Sequence, residues 1–448
     1  MAQKTAITHA KIITVNASFD VIEDGTIVFD EKQILAVGSA DSIEIPNGTH
    51  ILDGGGKLAV LPGLIDVHSH SSLLKGFSEN AQLMDWLPEY QREHQVLTEA
   101  DAFYGCLVSY MEALKGGTTT VADMYRLLHK AADAAELVGI RAELIPYAAD
   151  NPDKTFFETL DSTADLIDRC HGRANGKIHT WVGLEHITYC SAEMYRQANA
   201  LALDKGVHIH THTSEQVEEV EVVKELFGKR PVLQFAEYGI LRPGTVLAHC
   251  VWLDDEEIQA LVRTGTGVAH CPISNMKLAS GVAPLPRFMA EGIPVGLGSD
   301  GGISNNSLSM FECMKTASLL QKVHHLDAQC INAQQALELA TIQGARLLSI
   351  DQQVGSLETG KQADLITVDL WQPHMLPIVV AEDHDPVLWN LVFAARASDV
   401  TNVWIQGELL VDQGKLTRLD EGDLLDTIHR QTIDLLKRRT HVSAIPMV

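Results

Sequence analysis

Eight apolar, β-rich runs recur through the middle of the chain, each separated from the next by room for a helix. They are Leu58–Val67, Thr118–Met124, Arg141–Ala148, His179–His186, Val207–Thr213, Gly244–Cys250, Gly267–Pro272 and Pro294–Asp300. Helix-like stretches such as Ala100–Leu114, Ala131–Leu137, Ala192–Leu203, Asp255–Val262 and Leu285–Ala290 lie between them. A strand that feeds a crossover helix pairs in parallel with the next strand, so eight such units predict an α/β fold closed into a (β/α)8 TIM-type barrel.

The 448 residues exceed what a plain barrel of ~250 residues uses. The surplus lies at the two ends and is also β-rich. Ala6–Val15, Thr26–Asp30 and Ile34–Val37 read as strands, with a turn at Asp53–Gly56. Near the other end Ala363–Asp369 and Val403–Val411 have the same texture around turns at Gly360, Gly407 and Gly414, and a basic helix is expected from about Glu421. Residues 1–60 together with 359–448 are therefore expected to build a small β-sandwich with a C-terminal helix, and residues 61–358 the barrel.

Charge and cysteine usage narrow the partners. The formal charge is −25, a surface that repels nucleic-acid phosphates and anionic lipid. No run of 18 apolar residues is present and the first residues lack the pattern of a signal peptide, so neither membrane nor nucleic acid is an expected partner. The seven cysteines are scattered without CxxC spacing, as expected of free thiols in a cytoplasmic protein.

The histidines fall on strand ends, where a barrel of this kind keeps its reactive groups. The first run ends in Asp66-Val-His68-Ser-His70, and residues two apart on a strand face the same side. An HxH pair by itself is often two ordinary polar residues. In Val207-His-Ile-His-Thr-His212, three histidines share one face at different depths. The last, His212, is nearest the mouth; His210 and His208 fit packing roles. Glu215 follows where the strand gives way to a loop, either to overhang a metal as a proton shuttle or to head a solvated acidic run. The sixth run ends in His249 and the eighth in Asp300, an acidic residue closing a Gly-rich apolar strand. An unpaired buried carboxylate there is costly, and a metal removes that cost. Three histidines and one aspartate suit one divalent ion, Zn²⁺ first, with Fe²⁺ or Mn²⁺ compatible with the same ligands. His186 and His270 also end strands, and each fits a satisfied core histidine as well as a functional one.

Taken in order, Pro62–His70, His212-x-x-Glu215, Ala248-His249-Cys, Val268–Asn275, Gly298-Ser-Asp300 and Gly355–Asp364 resemble the amidohydrolase superfamily over essentially the whole chain. Ser274–Gly281 and the stretch from Asp300 through Ser304 and Asn306 to Phe311 resemble the branch of methylthioadenosine/S-adenosylhomocysteine deaminases. Triazine hydrolases and guanine or pterin deaminases are close relatives of that branch. The resemblance implies metal binding by His68, His70, His212 and Asp300, with His186, Glu215 and His249 on the substrate or the reactive water. It also implies a small heterocyclic substrate and a homo-oligomer, dimer or tetramer. Methylthioadenosine deaminases bind the ribose hydroxyls with a carboxylate after the first helix. Aligning on Trp86 places His94 near that slot with Glu93 beside it, and the loop after His70 is about two residues short. Trp86 and Ser304 complete the expected substrate contacts.

The expected chemistry is hydrolytic deamination of an amino-substituted N-heterocycle by metal-activated water. Glu215 serves as proton donor to the ring, His249 stabilises developing oxygen charge, and Asp300 takes the proton of the water. Guanine, 8-oxoguanine or pterin deamination and s-triazine amino- or chlorohydrolysis use the same centre. A binuclear centre requires a lysine on the fourth strand, and His179–His186 contains none. A noncatalytic metal-binding scaffold has no need of both Glu215 and Asp300.

Overall fold

In the computed structural model, which describes residues 4–381 and 384–446, the β-rich runs fall into two parallel sheets. Leu64–Ser69, Thr118–Tyr125, Arg141–Pro146 and Ile178–Thr180 form a four-stranded sheet in chain order. Val182–Leu184, Ile209–Thr213, Thr245–His249, Gly267–His270 and Val295–Leu297 form a five-stranded one, also in chain order. The fourth expected run is thus split at Trp181, whose N–H donates to Leu144 O at 2.9 Å while Val182 N–H turns to His208 O at 2.9 Å. At the opposite side the last strand meets the first: Asp300 N–H donates to His68 O at 2.8 Å.

The first expected run is also two strands. Leu58–Pro62 belongs to a different sheet from Leu64–Ser69, and Gly63 is the joint. A Cβ at Gly63 would lie 2.1 Å from Thr119 Oγ1, so the chain can change sheets there only with glycine. The helices expected between the runs form with small shifts of boundary, as Glu99–Lys115, Leu128–Val138, Ala192–Lys205, Asp255–Thr264 and Leu285–Ala290.

The two ends of the chain meet in one nine-stranded sheet. Leu58–Pro62 pairs in parallel with Thr5–Ile13 and antiparallel with Leu365–Asp369. The stretch Val403–Val411, with its expected turn at Gly407, is a hairpin of Val400–Ile405 with Glu408–Asp412. Its turn residues Gln406 and Gly407 have φ of 50° and 75°, the conformation that matches the twist of paired strands. The helix expected from Glu421 runs to Arg439. All seven cysteines are unpaired, and among the described residues no helix is long and apolar enough to cross a membrane.

One buried ion pair ties the end-derived sheet to the parallel strands. Arg141, which opens the strand Arg141–Pro146, donates from Nε and Nη2 to Asp364 Oδ2 at 3.2 and 2.9 Å, and neither side chain is more than 1% exposed. Asp364 Oδ1 accepts from Gln406 N–H at 2.8 Å, and Asp364 O from Gly63 N–H at 3.0 Å. Removing one partner leaves the other charge buried and uncompensated. Asp364→Ala is therefore expected to destabilise the fold by about 3–5 kcal/mol, read from the denaturant midpoint.

Candidate metal centre and active site

The strand ends bring His68, His70, His212, His249 and Asp300 into one cluster. Asp300 Oδ1 lies 3.1 Å from His68 Nε2 and 3.2 Å from His70 Nε2. His212 Nε2 lies 3.2 Å from His70 Nε2. Candidate ligand atoms of His68, His70 and Asp300, and of His68, His212 and His249, fall within 4.8 Å of one another.

The outer nitrogen of each imidazole sets its tautomer. His70 Nδ1 is 2.7 Å from Met124 O, and His212 Nδ1 is 2.7 Å from Glu185 O. A carbonyl only accepts, so both Nδ1 atoms carry the proton and both Nε2 atoms present lone pairs. Two such lone pairs facing each other at 3.2 Å in a buried site repel unless a cation lies between them. The separation is close to the ~3.3 Å between two nitrogens each ~2.0–2.1 Å from one tetrahedral ion. His68 Nδ1 pairs with His210 Nε2 at 2.8 Å, which leaves His68 Nε2 free. That atom and Asp300 Oδ1 are buried without a hydrogen-bond partner. The donor set thus fits a divalent ion, with outer-nitrogen partners of the kind that orient metal-bound histidines.

Backbone geometry aims these groups. His249, Asp300 and Ser214, which precedes Glu215, have φ of 73°, 64° and 52°. Such left-handed conformations are unusual outside glycine and gather where a site needs a particular aim. Gly301 continues the turn after Asp300, and a Cβ there would meet His70 O at 2.2 Å. Asp66 fixes the same corner by accepting from Ser299 N–H at 2.9 Å and from His68 N–H at 3.3 Å.

A narrow cavity of about 40 Å³ opens on the cluster. Its lining carries Glu215, Glu219, Glu185 and His186 with His212 and His249, and an apolar part from Leu83, Trp86, Leu87, Tyr90 and Leu278. Glu215 is buried rather than solvated, and Ser280 Oγ donates to its Oε1 at 3.0 Å. Burial, with the charges of Asp300 and Glu219 behind it, holds the Glu215 carboxyl well above the usual range. Burial acts on Asp300 in the same direction, and a cation bound among the lone pairs would hold its carboxylate ionised. Their environments thus set the two carboxyls apart, Glu215 toward its protonated form and Asp300 toward cation binding, the pattern that lets one give a proton and the other take one.

His249 Nε2 lies 3.5 Å from Glu215 Oε2, and its Nδ1 faces the Asn275 amide nitrogen at 3.0 Å. That amide also lies against the Glu215 carboxyl. With Asn275 donating to Nδ1, His249 carries its proton on Nε2 and presents a donor to the cavity. His186 lines the cavity too, but its Nε2 is 3.1 Å from Glu219 Oε1 and its Nδ1 2.9 Å from Thr188 Oγ1.

Of the expected substrate contacts, Trp86 and Ser304 line the cavity. The structure does not bring Glu93 and His94 to it. Along the helix Leu83–His94, the cavity-facing stripe is Leu83, Trp86, Leu87 and Tyr90, and the next turn lies beyond it. Glu93 instead accepts from Tyr125 OH at 3.1 Å and from Ser72 Oγ at 3.2 Å. His94 is enclosed by aromatic rings, edge-on to Tyr90 at 4.7 Å, with both ring nitrogens unpartnered. His270 is likewise buried with neither nitrogen partnered, and burial lowers its pKa to about 3, so it packs as a neutral ring.

Glu219, Tyr147 and Glu185 also line the cavity, and the sequence reading assigned none of them a role there. Glu219, in the first turn of Val217–Phe227, accepts from the N–H groups of Ser214 and Glu215 at 2.8 and 2.7 Å and so holds the Glu215 loop. Tyr147 places its hydroxyl 2.6 Å from His70 Nδ1. Glu185 is buried, and burial pushes its carboxyl up to about 7. A carboxylate in the first turn of a helix after a strand is a common backbone-capping pattern and gave a usable signal for Glu219. Nothing in the sequence distinguishes Tyr147 or Glu185.

The comparisons agree with this geometry. Residues 59–410 match the model of the Amidohydrolase family. A 5-methylthioadenosine/S-adenosylhomocysteine deaminase of Moorella thermoacetica is 37% identical over 408 residues, covering 90% of this chain and 94% of its own. A 5'-deoxyadenosine deaminase of Methanopyrus kandleri is 38% identical over 414 residues, covering 91% and 94%. The crystal structure of an adenosine deaminase from Xanthomonas campestris with bound zinc superposes with a TM-score of 0.90 at 28% identity, over 97% of this chain and 99% of that one. Matched along most of its length in sequence and in fold, this chain belongs to the amidohydrolase family.

Proposed function

We propose that the protein is a hydrolytic deaminase of adenosine derivatives, of the 5'-deoxyadenosine and methylthioadenosine type, working with one bound Zn²⁺. The observation that carries this reading is the pairing of a lone-pair-lined cluster with the buried Glu215 carboxyl, whose surroundings favour its protonated form. The names of the relatives supply the substrate class. The proposed architecture is a (β/α)8 barrel of residues 61–358, supported by the contacts that link the two parallel sheets at both sides. The small sandwich of 1–60 and 359–448 is supported by the shared nine-stranded sheet.

His68, His70, His212 and Asp300 would hold the ion, which when bound supplies Lewis acidity to activate water at neutral pH. The remaining work belongs to the chain. Asp300, anionic, takes one proton from the attacking water as the C6–O bond forms. Glu215, neutral, gives its proton to N1, so the electrons of the C6–N1 double bond move onto that nitrogen. His249, with its proton on Nε2, donates toward the developing oxygen charge. Asp300 then returns its proton to the amino group, and the new hydroxyl gives its own to Glu215. The C6–N bond breaks, ammonia leaves, and both carboxyls end as they began. The apolar lining of Trp86, Leu87 and Leu278 suits the purine face or an uncharged 5' substituent.

Three measurements test this. Purified protein is expected to carry about one divalent ion per chain, and His68→Ala to lose ion and activity together; two ions per chain would overturn the mononuclear centre. Glu215→Gln is expected to keep the metal and lose about 10²–10⁴ in kcat, because an amide cannot deliver the proton; near wild-type turnover would remove Glu215 from the mechanism. Zinc-loaded enzyme is expected to release ammonia from 5'-deoxyadenosine and methylthioadenosine in preference to guanine, pterins and melamine. The reverse order would reassign the substrate.

A further inference from the structure

Among the groups lining the cavity, Glu185 has no task in the chemistry above. It follows the strand Val182–Leu184 and is 5% exposed, and its Oε2 has no hydrogen-bond partner. Its backbone carbonyl is already in use, accepting from His212 Nδ1, so the side chain is not needed to orient that ring. Gln91 donates toward the carboxyl group while its Nε2 also donates to Tyr189 OH at 3.3 Å and its Oε1 accepts from Lys154 Nζ at 2.7 Å, yet Glu185 Oε2 remains without a partner. A buried carboxylate oxygen left without a donor is destabilising, and a ligand that brings a donor recovers that loss. No lysine or arginine among the described residues lines the cavity to supply one.

The substrate class, taken from the proposed deaminase function on which this inference rests, limits what that donor can be. A 5'-deoxyadenosine-type nucleoside carries hydrogen-bond donors at two places only: the 6-amino group and the ribose hydroxyls. The amino group is the leaving group and must lie at the metal cluster. The ribose is attached across the purine from C6. It therefore lies away from the leaving group, and among the described carboxylates lining the cavity the buried oxygens without a partner are Asp300 Oδ1, which faces the ion site, and Glu185 Oε2. Glu93, the carboxylate beside the slot where the alignment places His94, is committed to Tyr125 and Ser72 outside the cavity.

We propose that Glu185 is a specificity-determining residue, whose free carboxylate oxygen accepts from the 2' or 3' hydroxyl of the bound nucleoside. The carboxylate enters from the end of the fourth parallel strand rather than from the helix after the first.

The test is a comparison of two substrates across two enzymes. With the zinc-loaded wild type, 5'-deoxyadenosine is expected to outperform 2',3',5'-trideoxyadenosine, chiefly through KM. Glu185→Gln is expected to raise KM for 5'-deoxyadenosine by about 10–100-fold, the usual cost of a hydrogen bond to a charged group. It should leave kcat within about threefold, the metal content unchanged, and KM for the trideoxy compound nearly unaltered. A merely structural role would move both substrates alike, and that result overturns the assignment, as does a wild type that handles both equally well. The wild-type comparison holds even if the variant misfolds. Failure of the deaminase reading is distinguishable, since the wild type would then release ammonia from no adenosine derivative, which overturns both proposals.

Discussion

The centre of this molecule is organised by a constraint on protons. Three imidazoles, those of His68, His70 and His212, gather around a carboxylate, and the nitrogens that face inward must be free of hydrogen. An imidazole can satisfy that only if its other nitrogen has something to donate to. For His70 the acceptor is Met124 O on the second parallel strand, and for His212 it is Glu185 O at the end of the fourth. His68 uses His210, two residues before His212 on the fifth strand. Four strands are thus placed relative to one another by the protonation pattern of three rings. Asp300 N–H donating to His68 O adds the last strand to the set.

That arrangement explains why conformations that ordinary strands avoid are found at their ends here. His249, Asp300 and Ser214 each turn through the left-handed region just where the sheet stops. The conformation costs about 1–3 kcal/mol at a non-glycine residue and persists only when surroundings over-determine it. Asp66, Ser299 and Glu219 provide those surroundings through hydrogen bonds to the backbone of the turns. The acidic lining that results is divided by environment, with Asp300 facing the lone pairs of the cluster and Glu215 pushed toward its protonated form by burial and by neighbouring negative charge.

The cluster was legible in sequence because two simple rules converge on it. Alternation places His68 and His70 on one face, and the strand-end rule selects His212, His249 and Asp300 from a chain with twenty histidines. What could not be read depends on angles rather than on order. The helix Leu83–His94 turns Trp86 and Tyr90 toward the cavity and carries Glu93 past it, and no spacing argument fixes where a helix stops being adjacent to a site. Leu58–Val67 reads as one apolar run, yet it serves two sheets because Gly63 lets the chain change direction against Thr119. Glu185 and Tyr147 are single residues in apolar surroundings, and their proximity to His212 and His70 comes from the pairing of distant strands.

The sheet shared by both ends of the chain has a consequence for the order of assembly. Leu58–Pro62 is flanked on one side by Thr5–Ile13 and on the other by Leu365–Asp369, roughly 300 residues further along the chain. At about 5–20 residues per second on the ribosome, its second edge stays open for about 15–60 s after the first has paired. During that time Ala59, Val60 and Leu61, all fully buried in the finished fold, border an unpaired row of backbone donors and acceptors. The parallel strands in between emerge and can pair in order, but the sheet beneath them stays incomplete until nearly the whole chain has been made. The nascent chain is thus most exposed to wrong partners at a strand that lies next to the first residues of the active site.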